Sequence, residues 1–444
     1  MKKLNEKKFF ELAKASGLES AELTIFDAKS LTISLYHGEV DSFKDENTFM
    51  LVARGIYSGK MGSVKVDIVS KETPEFLVSG IKRAASLIEN DDPVFIFKGS
   101  PKYTKRRFNN SVDFTENIQE KVGILKEIEK KLLAFDKRIN EVVTVGYEAS
   151  KTSLKKSNSY GLKLSRKKTP YTYFAEVTAK NGEEVRTGFD VFSSNEEGAF
   201  NIDKFVESVA KDALSKLGSV QCPSKKYPVV LNQECVATFI SFLISSLDAE
   251  EVQKHTSLLE GKLGQQVFSK KLTVIENPVE KNMYFRSFDD EGVATKKKYL
   301  FNKGVVSTYL YTLRTATKDN VEPTGNASGL GSKPSANVNY VVVKPGKKSE
   351  DEIISTIKEG VYLTELSGLH SGVNPQSGNF SVQCAGFMIR DGKKAEPLAL
   401  ITVADNLINV FKNIKAVSSN SKLITFKEMM CPSIYVGKLA ISGK

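Results

Sequence analysis

The sequence predicts an α+β fold: an antiparallel meander N-terminal domain with flanking helices, a middle α/β segment, and a β-rich C-terminal domain with one buried helix. Three observations predict it. Strand-like and helix-like runs fall in separate blocks, which argues against a doubly wound parallel sheet. The period-2 runs AELTIF, LTISLYHGEVDSF and FMLVARGIYSGKMGSVKV carry Gly38 and Gly59 where turns belong. The stretch 234–247, ECVATFISFLISSL, places Val236, Ile240, Leu243 and Leu247 at helical spacing, and it is too short to cross a bilayer.

Taken in order, 6–16 reads as a helix with Phe9, Leu12, Ala13 and Ala15 on or near one face and Gly17 as its stop. The meander follows. Thr73 and Pro74 then open a helix reaching about 89, with Leu77, Ile81, Ala84 and Ile88 inward. Residues 1–93 form the first domain. Residues 94–110 read as a linker or surface stretch, with Pro101 and the basic cluster Lys105, Arg106 and Arg107. The middle segment, 94–222, holds a helix at 115–135 striped with Ile118, Val122, Leu125, Ile128 and Leu132. Strands at 140–150, 152–165 and 170–180 follow, with a turn at 158–161, and then a helix at 203–217. The last domain, 223–444, starts on the buried strand PVVL and leads into the 234–247 helix. Strand runs then appear at 272–276, 298–302, 305–312, 338–343, 380–389 and 398–403, with helices at 350–360 and 405–413.

Composition bounds the function. The chain has 444 residues, and 64 Lys+Arg against 53 Asp+Glu give +11, a mild excess that permits an acidic partner without requiring one. The N-terminal stretch is charged and amphipathic, so neither a signal peptide nor a membrane span is expected. Cys222, Cys235, Cys384 and Cys431 form no CxxC pair and read as reduced thiols of a cytoplasmic protein.

His37, His255 and His370 are too far apart in sequence for a local metal motif. The 234–247 helix has no His, and its only carboxylate is Glu234, so it lacks the imidazoles and the proton acceptor that a helix-borne metal site needs. Thr238, Ser241 and Ser245 give it one small polar stripe. Asp289, Asp290 and Glu291 ahead of Gly292 read as a solvated hairpin turn rather than an acid–base pair. The glycine-rich 323–332, PTGNASGLGS, lacks the Lys-Ser/Thr of a P-loop and reads as a loop lining a cavity or interface. Residues 151–170 carry seven basic side chains and no acid; a solvated strand face accounts for them better than nucleic acid.

Several segments occur together and in order: HGEVDSF and VARGIYSGKMGSV early, then KHTSLLEGKLGQQVFS, FDDEGVATKKKYLFNKGVVSTYLYTLRTA with PTGNA, LHSGVNPQSGNFSVQCAGFMIRDGK, and CPSIYVGKLAISG at the end. With these the chain resembles the TldD/PmbA family over nearly its whole length. The resemblance implies a cytoplasmic two-subunit peptidase. In that family a TldD-like subunit holds zinc with a His-Glu-x-x-x-His helix and a later Cys. A PmbA-like (TldE-like) subunit lacks these residues and pairs with it. Counting back from Lys254, Thr256 and Ser257, the metal histidines fall on Ile240 and Ser245, and the Glu falls on Ser241. Cys431 abuts Pro432, so the family's Cys-Gly-Lys pattern is missing as well. The resemblance therefore implies the PmbA-like type, with no catalytic residue, metal or cofactor of its own and zinc on a TldD-like partner. It implies a heterodimer with that partner, or a homodimer in its absence, acting on unfolded peptide held by strand addition. Thr324, Gly325, Asn326, Asn374, Gly378 and Asn379 are the candidate peptide or interface loops. Two alternatives stand beside this reading. One is a DNA gyrase-modulating or nucleic-acid-associated binding protein. The other is a stand-alone peptidase built from His255, His370 and a cysteine.

Overall fold

The computed structural model describes residues 4–90, 92–108 and 112–444. Its first sheet grows from local turn chemistry. After helix α1 (Glu6–Ala15), capped by Asn5, the strands β1 (Ser20–Tyr36), β2 (Glu39–Tyr57) and β3 (Lys60–Val66) form the expected meander. Both turns place two successive residues at positive φ: His37 at 50° with Gly38 at 75°, and Ser58 at 51° with Gly59 at 72°. These primed turns match the right-handed twist of the flanking strands. Helix α2 (Thr73–Ser86) begins as Pro74 dictates.

Helix α3 (Ile118–Phe135) leads to β4 (Ile139–Asn158), β5 (Lys163–Lys168), β6 (Tyr171–Asn181), β7 (Glu184–Ser194) and helix α4 (Ile202–Ser215). The strand order is β3-β2-β1-β4-β6-β7, with β5 beside β4. One antiparallel sheet thus draws strands from both 1–93 and 94–222, while two apolar clusters lie on it. Phe9, Leu23, Leu51, Leu77 and Ile81 join α1 and α2 to one end. Leu31, Ile33, Leu125, Ile128, Val145 and Val209 join α3 and α4 to the other. The stretches expected as separate strands at 140–150 and 152–165 are largely one long strand, β4, and β7 went unread.

Residues 94–108 are no free linker. They form a strap without regular structure. Ile96 packs on Ile56 and Met61, Tyr103 Oη donates to Gly292 O (2.9 Å), and Ser100 Oγ accepts from Ala294 N (2.9 Å). Positions 109 and 110 of the expected linker lie outside the described residues.

The last domain opens with β8 (Lys225–Leu231), helix α5 (Gln233–Ser245) and the short α6 (Ala249–Gln253). Next come β9 (Val274–Glu276), β10 (Lys298–Asn302), β11 (Val305–Val306), α7 (Leu313–Asp319), the two-residue β12 (Ala327–Ser328) and β13 (Ser335–Ala336), and β14 (Val341–Val343). They are followed by α8 (Glu350–Ile354), β15 (Glu359–Ser367), α9 (Leu369–Gly372), β16 (Asn379–Arg390), β17 (Lys393–Asn406), α10 (Leu407–Lys412), β18 (Ala416–Ile424) and β19 (Met429–Ser442). Strand β8 pairs β15, β15 pairs β16, β16 pairs β17, β17 pairs β19, and β19 returns to β8. These five strands close a ring, so none of them is a fully open edge. Helix α5 packs against β15, β18 and β19, and Val236, Ile240, Leu243 and the following Leu247 are 0% exposed.

The α+β expectation holds. The helix expected at 350–360 stops at Ile354; a turn follows, and β15 begins at Glu359.

Candidate functional site

Helix α5 turns its small polar stripe toward open space. Ser241 and Ser245, four residues apart and so on one helix face, line a cleft of about 640 Å³. Its opposite wall is residues 336–339, with Arg286 and the turn Phe426–Met429. A second cavity, about 490 Å³, shares Ser245 and Glu251 with the first and continues past Thr256, Ser257 and Asn374. Ile240, by contrast, points into the core.

The hydroxyls are engaged. Ser241 Oγ donates to Ala237 O and Ser245 Oγ to Phe242 O, both at 2.8 Å. The charges around the cleft are mostly tied down. Arg286 pairs with Asp290 (2.7 Å), Asn339 Nδ2 donates to Glu428 Oε2 (2.9 Å), and Thr256 Oγ1 donates to Glu251 Oε2 (2.6 Å). Burial raises the carboxyl of Asp248 above its ordinary range. Asn339 Oδ1 is buried and has no hydrogen-bond partner among the described residues. Phe426, 74% exposed, stands at the rim.

The candidate loops are pinned from within. Asn326 Nδ2 donates to both oxygens of buried Glu276 (2.9 and 3.0 Å) and to Asn337 O (2.9 Å), and Lys298 Nζ reaches both Glu276 (2.6 Å) and Asn326 (2.9 Å). Asn326 thereby braces the cleft wall from behind. Thr324 Oγ1 accepts from Tyr311 N (2.8 Å). At Gly325, φ is 73°, and an added Cβ would lie 2.8 Å from Ala294 O. Asn374 Oδ1 accepts from the amides of Gln376 and Ser377, holding an Asx turn at the second cavity. Gly378 continues it at φ 74°, and Asn379 Oδ1 accepts from Asn406 Nδ2 (2.9 Å).

Other candidates are scattered. His37 sits in the first sheet's hairpin turn, His255 Nδ1 lies 2.6 Å from Glu260, and His370 is exposed on α9. Cys431 and Cys235 are buried, and burial pushes both thiols up. Among the described residues, no three His, Cys, Asp or Glu side chains come together in metal-holding geometry.

The acidic turn is not solvated, contrary to expectation. Asp289 is 1% and Glu291 5% exposed. Gly292 does make the turn at φ 91°. The first sheet covers it, and Asp289 accepts from the amides of Ala327, Val293 and Glu291, while Glu291 Oε2 accepts from Leu313 N. Burial pushes the Asp289 carboxyl up to about 6. Burial and the neighbouring Asp289 push Glu291 up to about 7. The basic hairpin is also only half solvated. Lys156 is buried on Glu22 (2.6 Å), and Arg166 bonds Asp290 (3.0 Å) across the domain contact.

The cleft walls Asn337, Asn339 and Phe426–Glu428 escaped the sequence reading. Their one signal was position: Glu428 stands three residues ahead of Cys431, where the matching segment CPSIYVG begins.

Comparison with known proteins agrees with this architecture. Residues 114–217 match the PmbA/TldA metallopeptidase central domain, and residues 224–443 match the PmbA/TldA metallopeptidase C-terminal domain. A metalloprotease PmbA homolog of Buchnera aphidicola is 28% identical over 74% of this chain and 71% of its own. A candidate modulator of a DNA gyrase from Thermotoga maritima superposes with a TM-score of 0.89 at 27% identity, covering 98% of this chain and 99% of its own. TldE from Thermococcus kodakarensis shares the fold, with a TM-score of 0.91 at 21% identity over 99% of this chain and 100% of its own. The two domain matches, which together span residues 114–217 and 224–443, and the sequence relatives place the chain in the PmbA/TldD family.

Proposed function

We propose that this chain is the PmbA/TldE-type subunit of a two-subunit metallopeptidase acting on unfolded peptides. In this reading it holds no metal itself, and zinc sits on a TldD-like partner. The observation that carries it is the cleft face of α5. The positions aligned with the zinc helix are Ile240, Ser241 and Ser245. One is in the core, and the other two are neutral hydroxyls bonded to their own helix. This donor set is a poor match for zinc, which takes imidazole, thiolate or carboxylate. Among the described residues, no general base stands in hydrogen-bonding position to activate either serine.

The cleft supports a peptide-holding role. Its lining combines amide side chains (Asn337 and Asn339) with apolar surface (Val338, Leu310 and Phe426). Such a lining suits main-chain hydrogen bonding to extended peptide of varied sequence. The loops at 324–326 and 374–379 would brace or flank that peptide. Among the described residues no helix is long and apolar enough to cross a membrane, and we place the chain's work in the cytoplasm, as a heterodimer or, without its partner, a homodimer.

The test assays the purified chain on an unfolded peptide, with and without zinc, then with a TldD-like subunit. Turnover is expected only with the partner. Zinc-dependent, chelator-sensitive turnover by this chain alone, with host peptidases excluded by mass spectrometry, would overturn the proposal.

A further inference from the structure

The basic residues of 151–170 divide by strand parity, and the half facing away from the last domain has no assigned role. On β1, Glu22 and Thr24 point toward the last domain, with Arg54 of β2 and Lys156 of β4. The alternate positions, Leu23 and then Leu31, Ile33 and Leu35, point to the helical face, under α1 and α2 at one end and α3 and α4 at the other. Between these two helical layers the sheet is left uncovered. A groove of about 410 Å³ lies there, lined in part by Lys29, Lys151, Lys155 and Lys167 together with Asp27 and Phe49.

Four ammonium groups therefore share one short groove. Lys29 stands directly opposite Lys151, and Lys167 directly opposite Ser153, between Lys151 and Lys155. Like charges placed across a strand pair repel. Lys151 is neutralised by Asp113 at 2.8 Å. Lys29, Lys155 and Lys167 form no ion pair among the described residues, and Asp27 is the single acid of the lining. An incoming anion would relieve this repulsion, and Ser153 and Asn47 add neutral donors beside it.

We propose that this groove binds a short carboxylate-rich peptide segment. Two features favour acidic peptide over a nucleic-acid strand. Phe49 is the only aromatic in the lining, so successive bases find no stacking platform. Beyond the groove on the same face of the sheet, Asp45 of β2, opposite Leu31 and two positions from Asn47, is exposed and would repel a continuing phosphate backbone. A segment with two or three carboxylates ends before reaching it.

The test is fluorescence anisotropy of a labelled, C-terminally amidated six-residue peptide alternating Glu and Gly, and so carrying three carboxylates, with the full-length chain at low salt. Saturable binding that weakens as salt rises is expected. The triple variant Lys29→Gln, Lys155→Gln, Lys167→Gln should lose at least tenfold in affinity while keeping its melting temperature. A control triple at exposed Lys262, Lys297 and Lys393 should bind as the parent does. Absence of binding, or equal loss in both triples, would overturn the proposal. So would an eight-nucleotide oligothymidylate that binds more tightly than the peptide and is lost in the first triple, since that would assign the groove to nucleic acid.

Discussion

Glu291 is buried beside a second carboxyl, and this couples pH to folding. In the unfolded chain it titrates near 4.5, and in the fold near 7. Between those values the folded protein keeps a proton that the unfolded chain has released. The resulting stabilisation is complete below about 4.5 and is lost as pH rises through about 7. Asp289 acts in the same direction, moving from 3.8 to about 6. Burial raises Asp113 and Glu250, but Lys151 and Thr115 at the first and Lys254, Lys333 and Arg314 at the second outweigh it and lower each to about 2, so these two act in the opposite sense at more acidic pH. Glu291→Gln keeps an oxygen for Leu313 N and removes the titration. Its stability relative to the parent should therefore rise by on the order of 3 kcal/mol between pH 4.5 and 7.5, since each pH unit between the unfolded and folded titrations is worth about 1.36 kcal/mol. Denaturant melts of both proteins across that range measure it, and parallel curves would show that Glu291 does not titrate there. This residue was misread from sequence because DDEG has the composition of an exposed turn. Its burial comes from Arg54 and its neighbours on the first sheet, more than 200 positions away in the chain.

At the scale of elements, helices settle on the first sheet where glycines let them approach. Gly188 of β7 lies under α4, and a Cβ there would come within 2.6 Å of Val209 O and 2.7 Å of Ala213 Cβ. Backbone atoms cannot swing aside as a side chain can. Gly188→Ala should therefore lift α4 and cost on the order of 2 kcal/mol, read as a lower melting temperature. An unchanged melt would mean that α4 does not sit there. The elements with their own punctuation were legible. Gly38 and Gly59 marked the hairpins, Pro74 opened α2, and the 3.6-residue stripe of α5 held. The elements missed were those whose pattern is set from outside. Strand β15 is buried on both faces at Gly360–Leu363, so it shows no alternation. Strand β19 contains Pro432 and Gly437, residues that ordinarily argue against an interior strand. They are tolerated because β19 changes partners along its length, from β14 and β18 at its start to β8 and β17 at its end. The same holds for the cleft. The absence of imidazole on α5 could be read directly, whereas the wall opposite is assembled by contacts such as Asn339 to Glu428, 89 residues apart.

Across the whole molecule, the first sheet and the last domain meet through charge rather than through a shared apolar core. Glu22 accepts from Arg54 (2.6 Å) and Lys156 (2.6 Å), all three side chains at most 3% exposed, and Arg54 also donates to Gly331 O (3.3 Å). Arg166 bonds Asp290 (3.0 Å), whose other oxygen accepts from Gly329 N. The strap at 94–108 holds both sides. A buried ion network of this kind ties its partners more by the cost of breaking it than by its net stabilisation. Removing one member strands a charge and costs about 3–5 kcal/mol. The parent chain should accordingly unfold in one calorimetric transition, with the two halves melting together. Arg54→Met strands Glu22 against Lys156 alone, and Asp290→Asn removes the carboxylate facing Arg166. The double variant should separate the melt into two transitions, because each apolar cluster remains intact while the charges that bind them do not. Scanning calorimetry of parent and double variant tests this. Two transitions already present in the parent would show that the halves fold independently. A single transition in the variant, merely shifted down, would show that the strap and remaining contacts suffice to couple them.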